Sequence, residues 1–191
     1  MTSTQSENFN RFKQHYEKLA GKVYFAANSN EAVQCVTQIM SISKLTKAVL
    51  APLLPELEAD LINQLRDLNF PILKVQLNRP PIQHQINEAD LGISAAEFAI
   101  AETGAIVEVT TDDALRLISS LPRVHIAFLK ASQILPRLKD AASLLRDIFH
   151  SHPQNCTITF ISGPSRTADI EMKLFLGVHG PRESHVIVLN R

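Results

Sequence analysis

The chain has 191 residues, 45% hydrophobic and 20% charged, with 19 Lys+Arg balanced by 19 Asp+Glu. Zero formal charge removes the usual electrostatic case for a nucleic-acid or anionic-membrane partner. The length suits one domain with a sizeable core, and no apolar run approaches the roughly 20 residues that span a bilayer. The stretch Met1–Asn8 is polar and acidic where a signal peptide would be basic and then apolar, so residues 1–8 are expected to be disordered and the protein cytoplasmic.

Phe9, Phe12, Tyr16 and Leu19 recur at helical spacing with charged and polar residues between them, predicting an amphipathic helix that ends near Gly21. Its apolar face can pack on its own domain or dock on a partner. Val23–Ala26 reads as a short strand, and Asn30 and Glu31 open a helix carrying Ala32, Val36, Ile39 and Met40 on one side. Residues 9–47 thus form an N-terminal helical part of the domain, and 48–191 its main body. Ala48–Leu50 is a second strand. Pro55 begins a helix with Leu57, Leu61, Leu65 and Leu68 inward, and Ile72–Leu77 is a third strand. Asn78–Gln83, with paired prolines, is a connection.

Farther on, Phe98–Ala101 and Ala105–Val109 flank a short turn at Glu102-Thr103-Gly104, the pattern of a hairpin. Asp112 and Asp113 open a short helix stopped by Pro122. Val124–Leu129 reads as a strand and Ser132–Phe149 as a long helix with Leu138, Leu145 and Ile148 inward. Thr157–Ile161 and His185–Leu189 are the last strands. This alternation predicts an α/β fold: a mostly parallel, twisted sheet with helices on both faces, to which an antiparallel hairpin can be added. Ligands of such sheets bind where strands end at their carboxyl side, so the segments after Ala101, Leu129 and Ile161 draw attention.

Chemistry concentrates late in the chain. After Ile161 come Ser162-Gly163-Pro164-Ser165-Arg166-Thr167-Ala168-Asp169-Ile170-Glu171, then Gly177-Val178-His179-Gly180-Pro181-Arg182. Gly163-Pro164 turns the chain sharply, and Ser165, Arg166 and Thr167 offer two hydroxyls, a guanidinium and backbone amides in a row, a set suited to an anion. The alternative is that Arg166 pairs with Asp169 or Glu171 and braces the loop. The segment is neither a Walker A loop nor a dinucleotide fingerprint. His179, between two glycines, can titrate near neutrality and donate a proton or hydrogen bond. Glu102 is the best carboxylate candidate, as nucleophile, base or partner of Arg166. His125 and His185 read as edge or face residues of strands. His150 and His152, without a third ligand nearby, read as solvated rather than as a metal site. Cys35 and Cys156 read as small core thiols; an iron–sulfur cluster normally takes four.

The residues 162–171 with 177–182 resemble the closing signature of the lactate-utilization domain family. Ala89-Asp90-Leu91-Gly92-Ile93 with Ile100-Ala101-Glu102-Thr103-Gly104 is similar to that family's earlier motif. The resemblance runs from about Ala48 to Leu189. Ala105 stands where family members often carry Thr or Ser. The resemblance implies a fold similar to the ribose-phosphate isomerase and coenzyme A transferase group. It further implies a role in oxidation of L-lactate to pyruvate, as a small subunit that binds no cofactor itself, beside iron–sulfur partner proteins that carry the clusters. An acyl-transferase or isomerase acting on a carboxylate, phosphate or coenzyme A ester, and a non-catalytic scaffold, stand as alternatives. The expected site has Glu102 and His179 as catalytic groups. Thr103, Gly104, Gly163, Ser165, Arg166, Thr167, Asp169 and Arg182 would bind the anion, all at the carboxyl ends of neighbouring strands.

Overall fold

The computed structural model describes residues 1–73, 81–152, 156–170 and 173–190, with backbone alone at 113, 168–170 and 173–175. Helix α1 (Ser3–Lys18) starts six residues before Phe9, because Thr2 and Gln5 form a reciprocal cap: the Gln5 N–H donates to the Thr2 hydroxyl at 3.2 Å and the Thr2 N–H to the Gln5 side chain at 2.8 Å. Residues 3–8 are therefore helical, correcting the expected disorder. Phe12 and Tyr16 are fully buried and Phe9 meets Phe25 edge-on at 5.7 Å, so the apolar face of α1 packs on its own domain.

The remaining elements are β1 (Lys22–Ala26), α2 (Ser29–Ile42), β2 (Ala48–Leu50), α3 (Pro55–Asp67), β3 (Ile72–Leu73), α4 (Ile82–Asn87), β4 (Leu91–Ala95), β5 (Phe98–Ile100), β6 (Ala105–Thr110) and α5 (Asp113–Ile118). They continue with β7 (Val124–Lys130), β8 (Ile134–Leu135), α6 (Ala142–Ser151), β9 (Thr157–Ile161), β10 (Arg166–Ile170), β11 (Lys173–Leu176) and β12 (Glu183–Leu189). Six strands form one parallel sheet in the order β1-β12-β7-β4-β2-β3. Its helices lie on both faces, as the α/β alternation predicts. Ile126, Phe128, Ile187 and Leu189 face α2 and α3, while Ala127, Leu129, Val186 and Val188 face α1 and a second sheet.

That second sheet, β8-β5-β6-β9, is the main departure from the expected fold. The hairpin β5–β6 forms as read, with Gly104 at φ +63° in its turn. It recruits β9, antiparallel to β6 with Ile106 opposite Ile161, so Thr157–Ile161 does not enter the parallel sheet. The expected long helix over 132–149 is also absent. Pro136 lacks an amide donor and bars helix at the residue before it, so 131–141 breaks into a 3-10 turn, β8 and a second 3-10 turn ahead of α6. Leu138, expected inward, is 47% exposed. Ile82 and Gln83, read as connection, begin α4. The third strand covers Ile72–Leu73, and the rest of its expected span lies outside the described residues. Among the described residues no helix is long and apolar enough to cross a membrane.

Candidate functional site

The second sheet ends β9 against helix α1. Gly163 follows at φ +98°, and a Cβ there would lie 2.7 Å from the Leu19 carbonyl oxygen, so the sharp turn read at Gly163-Pro164 needs glycine for both conformation and space. The chain then meets the other half of its closing signature. The Ser165 N–H donates to the Pro181 carbonyl at 2.8 Å, and the Gly177 N–H to the Ser165 carbonyl at 2.9 Å. Ser165 therefore has no amide to offer an anion: its backbone clasps 163–167 to 177–182. Arg166 and Thr167 enter β10 opposite Leu176 and Phe175 of β11.

The clasp borders a groove of about 600 Å³ between β9, the signature loop and the end of α5. Gly163, Ser165, Arg166 and His179 line it, joined by Arg116, Ser119, Ser120 and Ser162. Its described lining holds two guanidinium groups, an imidazole and several hydroxyls, and no carboxylate. Such a surface attracts and hydrogen-bonds a small anion. Arg182 and His179 line an adjoining hollow of about 570 Å³, where the Arg182 N–H donates to the Arg123 carbonyl at 2.8 Å.

Part of the expected constellation is elsewhere. Glu102 and Thr103 are exposed, and the Glu102 carboxylate accepts the Leu138 N–H at 2.9 Å, bracing the second 3-10 turn. Gly104 packs on α1, where a Cβ would sit 2.6 Å from the Tyr16 nitrogen. None of these three lines the groove, and neither does Thr167. The side chain of Asp169, and all of Glu171, lie outside the described residues. The location also differs. Ser120 precedes β7 and Pro181 precedes β12, so the groove opens at the amino ends of these parallel strands, although it follows the carboxyl end of β9 in the other sheet.

Beneath the groove lies a polar cluster that residue patterns did not single out. Ser119, 7% exposed, lines the groove, donates to the Arg116 carbonyl at 3.3 Å and helps lower the pKa of the buried Glu108 carboxyl of β6. The Ser94 hydroxyl donates to Glu108 and lies 2.8 Å from Nε2 of His125, which is fully buried. With the single Ser94 proton given to Glu108, the imidazole reaches Ser94 as a donor, and Nδ1 is buried without a hydrogen-bond partner. Burial pushes the Glu108 carboxyl up, but the hydrogen bond and charge of His125, with Ser94 and Ser119, outweigh it and hold the group below its ordinary value. Nearby, the Tyr16 hydroxyl meets Ser184 at 2.6 Å, and burial drives that phenol up to about 12. His125 and His185 are central, buried residues, not edge positions. Their signal was a polar residue inside an apolar strand on a face shared with Ser94 or Tyr24.

Cys35 packs between α2 and the parallel sheet, and Cys156 beneath α6 behind the second sheet. Two thiols separated by both sheets cannot supply the four cysteine ligands that an iron–sulfur cluster normally takes.

Comparison with known proteins agrees with this architecture. The LUD domain model matches residues 9–189. Over 101 residues the chain is 41% identical to lactate utilization protein C of Anoxybacillus flavithermus, covering 53% of this chain and 44% of that protein. It is 47% identical over 105 residues to the protein of that name from Exiguobacterium sp., covering 52% and 44%, and 38% identical over 106 residues to that of Bacillus subtilis, covering 54% and 44%. The matches thus span less than half the length of these relatives. A solved DUF162 family protein from Deinococcus radiodurans superposes with a TM-score of 0.69 at 17% identity, over 97% of this chain and 98% of that one, which shows a shared fold. With its family model matched across almost the entire chain, this protein belongs to the LUD domain family.

Proposed function

We propose that this chain acts in lactate utilization, as the small cluster-free component of a system that oxidises L-lactate to pyruvate. The iron–sulfur clusters would reside on partner proteins, in line with the two separated cysteines here. The observation that carries the reading is the 38–47% identity to proteins named lactate utilization protein C. The groove supplies its chemistry: Arg166, His179 and the serine hydroxyls suit a small carboxylate, and no carboxylate among the described lining residues opposes it. The acyl-transfer alternative asks for Glu102 as nucleophile. That carboxylate is engaged with Leu138 outside the groove, so the alternative gains nothing from the geometry.

Deletion of the gene tests this directly. Growth on L-lactate should fail while growth on pyruvate stays normal, and the wild-type chain supplied in trans should restore it. Unimpaired growth of the deletion strain on L-lactate, in a background with no other lactate dehydrogenase, removes the assignment.

A further inference from the structure

The carboxyl ends of the parallel sheet, opposite the signature groove, hold a separate cavity of about 180 Å³. Its position follows from topology. From β2 the chain leaves through α3, on one face, toward β3. From β4 it leaves through the second sheet and α5, on the other face, toward β7. Since β2 and β4 are adjacent, a crevice opens where the two connections diverge, the place where sheets of this kind take ligands. The residues after β2 (Leu53, Leu54, Leu57), after β4 (Ala96, Glu97) and at the ends of β7 and β12 (Phe128, Lys130, Leu189) line it, with Gln133 from the following turn.

Side-chain alternation gives the cavity its character. Phe128 and Lys130 project to one face of β7, the face on which Phe128 joins Leu57 and Leu189 in the core, so the half-buried lysine stands at the edge of an apolar wall. The Lys130 N–H donates to the Gln133 side-chain oxygen at 2.9 Å. That bond occupies the amide oxygen, so the NH2 is the end of the Gln133 amide left to donate. Glu97, the one carboxylate among the described lining residues, is exposed to solvent. An exposed charge is screened far more than a half-buried one, so the ammonium governs the site, while Glu97 disfavours a second negative charge. The first turn of α3 adds no anion attraction: it carries Glu56 and Glu58, and the Leu53 N–H is already given to the Glu58 carboxylate at 2.9 Å.

We infer that this cavity binds a small organic monoanion with a compact apolar body, its carboxylate held by Lys130 and the Gln133 amide and its body against Leu54, Leu57, Phe128 and Leu189. Size supports the class, since an apolar cavity of about 150 Å³ accepts benzene. A carboxylate on such a body fills the space, whereas lactate or acetate leaves the apolar wall bare. The inference stands independently of the lactate assignment, which concerns the other end of the sheet.

The test uses benzoate as probe, with acetate, benzyl alcohol and phenyl phosphate as comparisons, by calorimetry and by methyl NMR of the full chain. Benzoate should bind, perturb the methyl signals of Leu54, Leu57 and Leu189, and leave that of Val178 beside the signature groove unmoved. Acetate and phenyl phosphate should bind at least ~10-fold more weakly. Lys130→Met, which keeps the aliphatic stem and the backbone bond to Gln133, should weaken benzoate ~10-fold or more and leave benzyl alcohol unchanged. Benzoate binding unaltered by Lys130→Met, or shifts confined to Val178, overturns the inference. So does the absence of benzoate binding at millimolar concentration. Ala95→Leu, at an exposed lining position in register with Phe128, guards against misfolding of the lysine variant: it should fill the cavity and abolish benzoate binding without lowering the melting temperature, and retained affinity there also counts against the site.

Discussion

Glu108 of β6 and His125 of β7 face each other across the two sheets, carboxylate oxygen to Nε2 at 3.3 Å, with the side chains 4% and 0% exposed. This contact, completed by Ser94, is the polar joint between the antiparallel and parallel layers. Buried polar groups tolerate the loss of a partner poorly, because the survivor remains desolvated. Glu108→Ala should cost about 3 kcal/mol of stability, near 10 °C in melting temperature for a chain of this size. Glu108→Gln, which keeps shape and an acceptor, should cost about 1 kcal/mol. Urea unfolding of the three proteins reads the difference. Equal stability of Glu108→Ala and wild type would show that the joint contributes nothing.

The same carboxyl sets an acid limit. Its folded pKa lies below the ordinary 4.5, so the unfolded chain takes up the proton first as pH falls. Its stabilising contribution is present above pH 4.5 and is lost as pH falls through the lower folded value. The stability gap between wild type and Glu108→Gln should therefore narrow below pH 4.5 and stay constant above pH 6. A gap independent of pH would contradict the assignment.

His185 acts in a different window. Burial, then Lys22, depresses this imidazole from 6.5 to about 4, against the opposing pull of Glu183, whose carboxylate lies 3.3 Å from Nε2. The folded state resists a proton that the unfolded state accepts at 6.5. Stability is thus complete above pH 6.5 and declines as pH falls toward 4, by about 3 kcal/mol at most. A non-titrating His185→Gln variant should lose stability at neutral pH but show a flatter profile between pH 6.5 and 4. Parallel profiles for the two proteins would rule out the imidazole as the source.

Gly163 and Gly104 anchor both motif turns on α1. Gly163→Ala must adopt φ near +98° with its Cβ 2.7 Å from the Leu19 carbonyl, and Gly104→Ala meets the Tyr16 nitrogen at 2.6 Å. Each should lose about 2 kcal/mol or more, since left-handed strain alone costs about 1–2 kcal/mol and α1 must also shift. Hydrogen exchange should show the C-terminal turn of α1 loosened in both variants.

Arg166→Ala separates a binding role from a bracing one. A charged hydrogen bond contributes about 1.5–3 kcal/mol, so loss of an anion contact weakens L-lactate binding by roughly 10- to 150-fold. A brace to the neighbouring acidic residues predicts instead a lower melting temperature with affinity intact. Both quantities are measured on one preparation, and the second pattern removes Arg166 from the site.

Much of this protein was legible locally. The spacing of Phe9, Phe12 and Tyr16 specifies α1 and its buried face, because a 3.6-residue period is a property of one helix. The glycine-bearing turn at 102–104 specifies the hairpin, and Gly163 its left-handed bend, because steric limits on φ act within a residue. The clasp of Ser165 by Pro181 and Gly177 unites two segments that the sequence already marked as one signature.

The rest depended on partners distant in the chain. Thr157–Ile161 is recognisable as a strand, yet only pairing with β6 decides that it leaves the parallel sheet, since a strand's own residues offer the same donors and acceptors to either neighbour. That choice turns the signature loop toward the amino ends of β7 and β12, away from Glu102, and leaves Lys130 at the opposite end of the sheet. Glu108 and His125 are unremarkable apart, 17 positions from each other in the chain; they become a buried pair because two sheets stack face to face. Most helices, strands and turns are readable along the chain, because they arise from short-range sterics and periodicity, whereas β8, β10, β11 and the break of 131–141 at Pro136 were not. Tertiary structure alone decided which side chains share a cavity, because that depends on strand order and layer packing, set by contacts between residues far apart in the chain.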